Sequence, residues 1–179
     1  MTINKEKLEA AIKIIDEKLK GEAYAIRGTA SLVLQGLDMN VDDIDILCDE
    51  KTALNANLKL SEYLVEKVVF KESPKFKSYY GKFLINGVNV EIMGDWQIFN
   101  NKKGWSKVYN ADVVNITQIK VENLKIPVTK IELELEVFAL MGRWTAYQKI
   151  KRLAGKSRQI NSKSQNEKPQ VASDQQKLF

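Results

Sequence analysis

The stretch from residue 27 to residue 49 constrains the fold more than any other part of the chain. An apolar run ends at Gly28, small residues open a short helical pattern, and after a loop the sequence alternates Asp-Ile-Asp-Ile over residues 43–46. Because successive side chains of a strand point to opposite faces, Asp43 and Asp45 share one face and the isoleucines the other. Two carboxylates about 4 Å apart repel by roughly 4 kcal/mol at an effective dielectric of about 20. A divalent cation relieves that repulsion, so the pattern predicts a strand–turn–helix–strand unit with a cation site.

The absence of histidine narrows the chemistry open to this chain. Ser-His-Asp and Cys-His catalysis, His-ligated zinc and imidazole acid–base chemistry are all excluded. The lone Cys48 excludes an internal disulfide, and its place beside the Asp-Ile-Asp strand favours a packed core thiol over a nucleophile. No apolar run is long enough to cross a bilayer and no signal-peptide pattern is present, so we expect a cytoplasmic protein. Carboxylate, lysine and hard-metal chemistry remain.

The glycine turn and the paired acids together resemble the signature of the DNA polymerase β-like nucleotidyltransferase superfamily. That signature is an apolar residue, Gly, a Gly or Ser, a gap, and two acids that flank an apolar residue. The matching residues here are Gly28, Thr29, Asp43 and Asp45. Thr29 departs from the usual Gly or Ser but keeps a hydroxyl. The resemblance covers roughly residues 20–95 and, more loosely, the helix after Pro127.

The resemblance also implies a third carboxylate on a neighbouring strand, and the match is Glu91. Asn86-Gly87 predicts a tight hairpin because both central residues of that turn need positive φ, and Glu91 lies on the return strand, residues 88–93. By resemblance, the catalytic metal ligands are Asp43, Asp45 and Glu91, which hold two Mg²⁺ ions. By resemblance again, the phosphates of an NTP donor are positioned by Gly28, Thr29 and Ser31. The alternatives are a solvated strand residue for Glu91 and a plain strand-to-helix turn at Gly28.

Several further residues near the hairpin are candidates for the same chemistry. Three lysines could meet a triphosphate, although a solvated strand edge is the commoner reason for lysines there: Lys75, Lys77 and Lys82. Asp95 is a candidate base toward an acceptor hydroxyl. Three aromatic residues are interpreted as core rather than as a pocket wall: Trp96, Phe99 and Trp105. The resemblance places an arginine in the C-terminal helix, here Arg143, but the acids that often follow it are absent.

Hydrophobic periodicity predicts three longer helices and a set of short strands. The first helix spans residues 5–20 after an Asn4 cap, and the third runs from a capping box at Thr129 and Glu132 to about residue 153. The second begins after an Asp49 cap and runs to about residue 66. Its inward side chains are predicted to be Leu54, Leu58 and Val65. The fold class is therefore α/β (α+β): a small mixed, mostly antiparallel sheet with helices on one face and a long C-terminal helix.

Residues 155–179 are predicted to form a disordered basic tail after a nucleotidyltransferase-like domain over residues 1–154, because so polar a segment cannot offset its ordering entropy. Residues 156–179 hold five Lys/Arg and two acids of a chain with net charge +5, so a globally basic nucleic-acid surface is not indicated, although a local patch is compatible. The last five residues resemble the Gln-x-x-Leu-Phe peptide by which bacterial DNA-metabolism proteins bind the sliding clamp. The docking residues are then Gln175, Leu178 and Phe179, and a frayed terminus is the alternative.

These features favour Mg²⁺-dependent transfer of a nucleoside monophosphate from an NTP to an acceptor hydroxyl on a small molecule, an RNA or a protein. The resemblance implies in-line attack on the α-phosphate with pyrophosphate as the leaving group. Small size and modest body charge argue against a processive polymerase. The alternative function is a non-catalytic nucleotide-binding module, tethered by its terminal peptide to a sliding clamp or DNA-repair partner. A third hypothesis is a nucleotidyltransferase-type toxin that acts on tRNA.

Overall fold

The computed structural model describes the backbone of residues 2–166 and the side chains of residues 2–156. Five helices and eight strands alternate along this part of the chain. In chain order they are α1 (Lys5–Lys18), β1 (Tyr24–Arg27), α2 (Gly28–Leu34), β2 (Ile44–Cys48), α3 (Glu50–Lys59), β3 (Leu64–Glu72), β4 (Phe76–Ile85), β5 (Val88–Asn100), β6 (Gly104–Trp105), β7 (Ile116–Val121), β8 (Leu124–Thr129), α4 (Ile131–Leu140) and α5 (Trp144–Asn166). A short 3₁₀ turn, Ser61–Tyr63, connects α3 to β3.

Seven of the strands form one path through a mixed sheet, in the order β3-β4-β5-β2-β1-β8-β7, and β6 pairs with β5 off that path. The pairs β2–β5 and β1–β8 are parallel, whereas the other pairs in the sheet are antiparallel. The Asn86-Gly87 turn between β4 and β5 has positive φ at both residues, as its sequence predicts. The predicted α/β class with a mixed, mostly antiparallel sheet is confirmed, but helices lie on both faces of the sheet rather than on one.

The main core lies between the sheet and the helices α1 and α3. Ile44, Ile46 and Ile92 point from the central strands into this core, where they meet apolar side chains of α1 such as Ile12 and Ile15. Asn4 and Asp49 cap these two helices with their side chains, as predicted. The opposite face of β2 and β5 is covered in part by α4, whose Leu133 and Val137 belong to a second apolar cluster with Leu47 and Met93. That face also carries the acidic side chains.

The predicted second helix is wrong in its end and in its buried face. It stops at Lys59, β3 already begins at Leu64, and the three residues predicted to point inward are exposed: Leu54, Leu58 and Val65. Ala53 and Ala56 face the sheet instead. The reason is close approach, because a Cβ placed on Gly94 of β5 would lie 2.6 Å from the Ala53 Cβ. Only small side chains fit in that gap, so the larger leucines turn outward.

The predicted third helix is interrupted. α4 ends at Leu140, Gly142 takes a φ of 70°, and α5 begins at Trp144. The capping box is also wrong, since the residue at the N-cap is Lys130 and the Thr129 hydroxyl bonds to a buried side chain of α4.

Helix α5 continues through residue 155, where the tail was predicted to begin, to Asn166. The rest of the tail, with its Gln-x-x-Leu-Phe peptide, lies outside the described residues. Over the described part, no helix is long and apolar enough to span a membrane.

Candidate functional site

Three neighbouring strands place the acidic residues in register. Arg27 at the end of β1 pairs with Asp45 of β2, and Asp45 pairs with Glu91 of β5. Lys82 of β4 follows next to Glu91. Because paired residues of adjacent strands point to the same face, these side chains form a row across the sheet on the face opposite Ile46. Asp43 precedes β2 by one residue, so it adjoins the same row.

A pocket of about 590 Å³ opens above this row. Its wall includes all three carboxylates, Asp43, Asp45 and Glu91, and also Gly28 and Thr29 from the turn that opens α2. Residues far apart in sequence therefore converge on one cavity. Asp95, the candidate base, does not: its carboxylate accepts hydrogen bonds from the Asn110 side chain and the Glu50 backbone at the N-terminus of α3. Asp95 is not part of the pocket wall.

Burial and mutual repulsion raise the pKa of two of the pocket carboxylates, as their close spacing predicts. The Asp45 side chain is 22% exposed. Burial raises the pKa of Asp45 to about 7, with a further rise from Asp43 and Glu91 and an opposing effect of Arg27. Burial also raises the pKa of Asp43, and the negative charges of Glu91 and Asp42 add to that rise. Additional positive charge in this pocket would therefore stabilise the ionised carboxylates.

Two of the three predicted metal ligands, Asp45 and Glu91, lie close to basic side chains of the same chain. Arg27 Nη1 lies 3.9 Å from Asp45 Oδ2, and Lys82 Nζ lies 3.4 Å from Glu91 Oε1. As the side chains stand, no group of three or more acidic, cysteine or histidine residues within the described range is gathered closely enough to hold a metal ion. The donor set fits Mg²⁺ in kind, because it consists of carboxylate oxygens on the wall of one pocket.

Gly28 is required at the turn by its conformation and by the space around it. Its φ is +67°, a region that other residues enter at a cost of about 1–2 kcal/mol. A Cβ at this position would lie 2.5 Å from Asp45 Oδ2, so the carboxylate packs directly against the glycine. Thr29 lines the pocket beside it. The Gly28 turn and the Asp45 carboxylate therefore share one small volume.

A buried glutamate from α4 holds this turn in place. Glu134 is fully buried, and its Oε1 accepts hydrogen bonds from the Gly28 backbone N–H at 3.0 Å and from the Thr129 hydroxyl at 2.7 Å. Its Oε2 lies 3.1 Å from Arg27 Nη2, which donates to it. The Arg27 guanidinium also lies over the Trp96 ring, 4.3 Å from the centroid. Sequence reasoning missed this network, although an acid at the helix spacing of the buried Leu133 and Val137 was an available signal.

Ser31 has a different place from the one predicted. Its hydroxyl is fully buried under the turn and donates to the Thr129 carbonyl oxygen at 3.3 Å, and it is not part of the pocket wall. The side chain therefore joins α2 to the end of β8. In this position the Ser31 side chain packs under the turn and lies away from the pocket in which phosphates would bind.

Aromatic and basic side chains form the rest of the pocket wall. Trp96 is buried as predicted but also lines the cavity, where it stacks with Phe76 at 5.8 Å between centroids. The Tyr80 hydroxyl bonds to Glu91, and Lys71 and Arg143 complete the basic part. Of the three candidate lysines, Lys82 pairs with Glu91, Lys77 pairs with Glu72 and lies over Trp105, and Lys75 belongs to a neighbouring pocket. The site thus combines an acidic floor with an aromatic and basic rim.

Comparisons with solved structures identify the fold. A Thermotoga maritima protein with a provisional nucleotidyltransferase assignment matches with a TM-score of 0.72 and 27% sequence identity, over 87% of this chain and 97% of that one. The lincosamide antibiotic adenylyltransferase LnuA, in its lincomycin-bound form, matches with a TM-score of 0.53 and 18% identity, over 86% of this chain and 99% of that one. No family model and no curated protein matches the sequence. The fold is nucleotidyltransferase-like.

Proposed function

We propose that the protein transfers a nucleoside monophosphate from an NTP to an acceptor hydroxyl in a Mg²⁺-dependent reaction. The observation that carries the proposal is the convergence of Asp43, Asp45 and Glu91 on one pocket beside the Gly28 turn. The likeness to a nucleotidyltransferase-type protein and to an adenylyltransferase supports it, since both matches cover most of this chain. The antibiotic substrate of the lincosamide adenylyltransferase LnuA is a property of that protein and is not part of the proposal.

In this proposal the acids and the turn have separate tasks. Asp43, Asp45 and Glu91 would hold the Mg²⁺ ions, and these ions supply charge neutralisation for the triphosphate and the acceptor oxygen. The Gly28 turn lets phosphate approach the main chain closely, because no side chain stands in the way. Thr29 offers a hydroxyl on the same wall, and Arg143 offers positive charge to the triphosphate, as does Lys71, which also pairs with Glu66. The acceptor oxygen bonds to the α-phosphorus, the bond to the β-phosphate oxygen breaks, and pyrophosphate leaves.

The hydrogen bonds of Glu134 fix the position of residues that contact the acidic side chains of the pocket. The Glu134 carboxylate fixes both Arg27 and the Gly28 N–H, and Arg27 in turn lies against Asp45. Because a misplaced reacting group can lower a rate by orders of magnitude, a fixed turn is a requirement of the proposed reaction. Glu134 is therefore a positioning residue.

The test uses donors labelled at different phosphates. The full-length protein is incubated with Mg²⁺, a cell extract as the acceptor pool, and an NTP labelled at either the α- or the γ-phosphate. Nucleotidyl transfer should move the α-label into a product and release the γ-label as pyrophosphate. Transfer of the γ-label would instead indicate a kinase and would contradict the proposal.

A matched pair of variants assigns the reaction to the pocket. Asp45→Asn should abolish label transfer, whereas Asp42→Asn, in an exposed neighbour outside the pocket wall, should retain it. Circular dichroism should show both variants folded. Turnover in the Asp45 variant would contradict the assignment of that carboxylate. NTP binding without any transfer would favour the alternative of a non-catalytic nucleotide-binding module.

A further inference from the structure

A second pocket, of about 480 Å³, adjoins the first. The two cavities share three wall residues, Phe76, Met141 and Arg143, so each opens beside the other. The break between α4 and α5 at Gly142 forms part of the second wall and turns Arg143 toward the shared boundary. The two pockets are therefore neighbours on one surface, separated by these three side chains.

The second pocket has the opposite charge character from the first. Its wall contains three cations, Lys75, Lys102 and Arg143, and no acidic residue. None of these cations forms an ion pair with any residue of the described chain. All three are exposed. Unpaired cations around a cavity attract a ligand with several negative charges.

Helix α5 extends this positive surface away from the pocket. Trp144, at the start of the helix, belongs to the pocket wall, and Gln148, Arg152 and Lys156 follow at intervals of four residues. Each interval of four residues advances about 40° around the helix, so these side chains form an inclined stripe on its exposed side, about 18 Å long at 1.5 Å per residue. All four are exposed, while Ile150 and Ala154 pack inward. Residues 144–166 contain six Lys/Arg and no Asp or Glu.

The aromatic residue at the junction indicates what kind of polyanion fits. Trp144 is 59% exposed, although such a large ring is usually buried, and Tyr147 supports it edge-on at 5.7 Å between centroids. Sites for single-stranded nucleic acid combine exposed rings, on which bases stack, with cations that meet the phosphates. Here the exposed ring of Trp144 is followed along α5 by four exposed cations, Lys149, Lys151, Arg152 and Lys156. A small acceptor that fits within the pocket would not contact the cations along α5, whereas an extended strand can contact both.

We propose that the acceptor is the 3′ end of a single-stranded polynucleotide, which lies along the α5 stripe and enters the first pocket through the second. This inference rests on the proposed function for its chemistry, but the strand-binding surface is a separate claim. The terminal 3′-hydroxyl oxygen bonds to the α-phosphorus of the NTP. The bond between that phosphorus and the β-phosphate oxygen breaks, pyrophosphate leaves with the electron pair, and the hydroxyl proton passes to water.

The binding test needs neither NTP nor Mg²⁺. Fluorescently labelled single-stranded RNA and DNA oligonucleotides are titrated with the full-length protein, and the dissociation constant is read from anisotropy over a range of salt. The triple variant Lys102→Gln, Arg143→Gln, Arg152→Gln should weaken binding at least tenfold. It should also reduce the salt slope by about two, since each phosphate contact on a single strand contributes about 0.7. Trp144→Ala should weaken binding at least fivefold.

The matched control removes the same charge from a distant surface. The triple variant Lys5→Gln, Lys20→Gln, Lys51→Gln alters exposed positions on and near α1 and on α3, none of which lines either pocket. It should change the dissociation constant by less than twofold. Equal weakening by both triple variants would show that only net charge matters and would overturn the proposal.

The transfer test separates this inference from the proposed function. Oligonucleotide binding that depends on the stripe, without label transfer, would support the strand site and contradict the proposed activity. Label transfer to a small molecule or a protein, without oligonucleotide binding, would leave the activity standing and overturn the strand site. Extension of an oligonucleotide by one labelled nucleotide, lost when its 3′ end is blocked, is the result that we expect. The RNA and DNA arms then show which sugar is accepted.

Discussion

Glu134 gives the sharpest quantitative test of how the site is held together, and the perturbation is Glu134→Gln. The carboxylate is fully buried and bonds to Arg27 at 3.1 Å and to the Gly28 N–H at 3.0 Å. Glutamine can still accept from the turn, but its amide N–H groups cannot accept from the guanidinium. Among acidic partners, Arg27 then keeps only the longer contact of 3.9 Å to Asp45, beside its place over the Trp96 ring. The variant therefore strands a charge that is itself buried.

The expected cost follows from that stranded charge. Removal of one partner from a buried ion pair costs about 3–5 kcal/mol. At roughly 2–4 °C per kcal/mol for a domain of this size, the midpoint of thermal unfolding should fall by about 6–20 °C. The measurement is urea unfolding at neutral pH, together with a thermal scan. Because the turn also positions Asp45, transfer activity should fall more than the remaining folded fraction explains.

Glu136→Gln is the matched control on the same helix. Glu136 pairs with Lys107 at 3.6 Å, but the two side chains are 47% and 62% exposed. An exposed pair contributes about 0–1 kcal/mol, and the glutamine oxygen can still accept the 2.8 Å hydrogen bond from the Tyr109 hydroxyl, so this variant should lose little stability. Arg27→Met combined with Glu134→Gln should cost less than the sum of the single changes, since the stranded charge is gone. Equal losses for the Glu134 and Glu136 variants would refute the buried-pair argument.

Three further predictions follow from the same site and from the tail. Burial raises the pKa of Asp45 to about 7, so at intermediate pH the folded state retains a proton that the unfolded state has lost. The free energy of unfolding should therefore fall as pH rises from about 4 to about 7, and Asp45→Asn should flatten that slope in urea titrations; parallel slopes would argue against it. Gly28→Ala should lose more stability and activity than Gly36→Ala, because both have positive φ but only a Cβ at Gly28 would meet the Asp45 carboxylate; equal losses would contradict the steric reason. Deletion of residues 175–179 should leave label transfer unchanged and abolish capture by a sliding clamp, and capture that survives the deletion would end the clamp hypothesis.

The sequence was most informative where local spacing determines geometry. The hairpin at Asn86-Gly87 needs only two residues with positive φ, and the fold class follows from the periods of the strands and helices. The alternation around Asp43 and Asp45 was enough to place both acids, and Glu91 required the resemblance as well. These inferences use residues a few positions apart or a known order of strands.

The sequence was least informative where distant segments meet. Arg27 and Glu134 are 107 residues apart, and nothing in the local sequence around either residue indicates that the two form a pair. The buried face of α3 was mispredicted because hydrophobicity favours leucine, whereas the close approach of β5 at Gly94 selects alanine. Ser31 was assigned to phosphate by its position after the glycine, but the rotation of α2 turns its hydroxyl toward β8. Tertiary packing decided each of these cases.

The pairing of Arg27 with Glu134 has a consequence for the order in which the chain is made. All four acidic residues of the pocket wall precede residue 100, whereas the partner that holds Arg27 follows much later. A nascent chain that already contains these acidic residues still lacks Glu134, the buried partner of the Arg27 guanidinium. Synthesis on the ribosome therefore completes the acidic residues of the pocket before Glu134, and the hydrogen bonds that fix Arg27 and the Gly28 turn can form only when α4 has emerged.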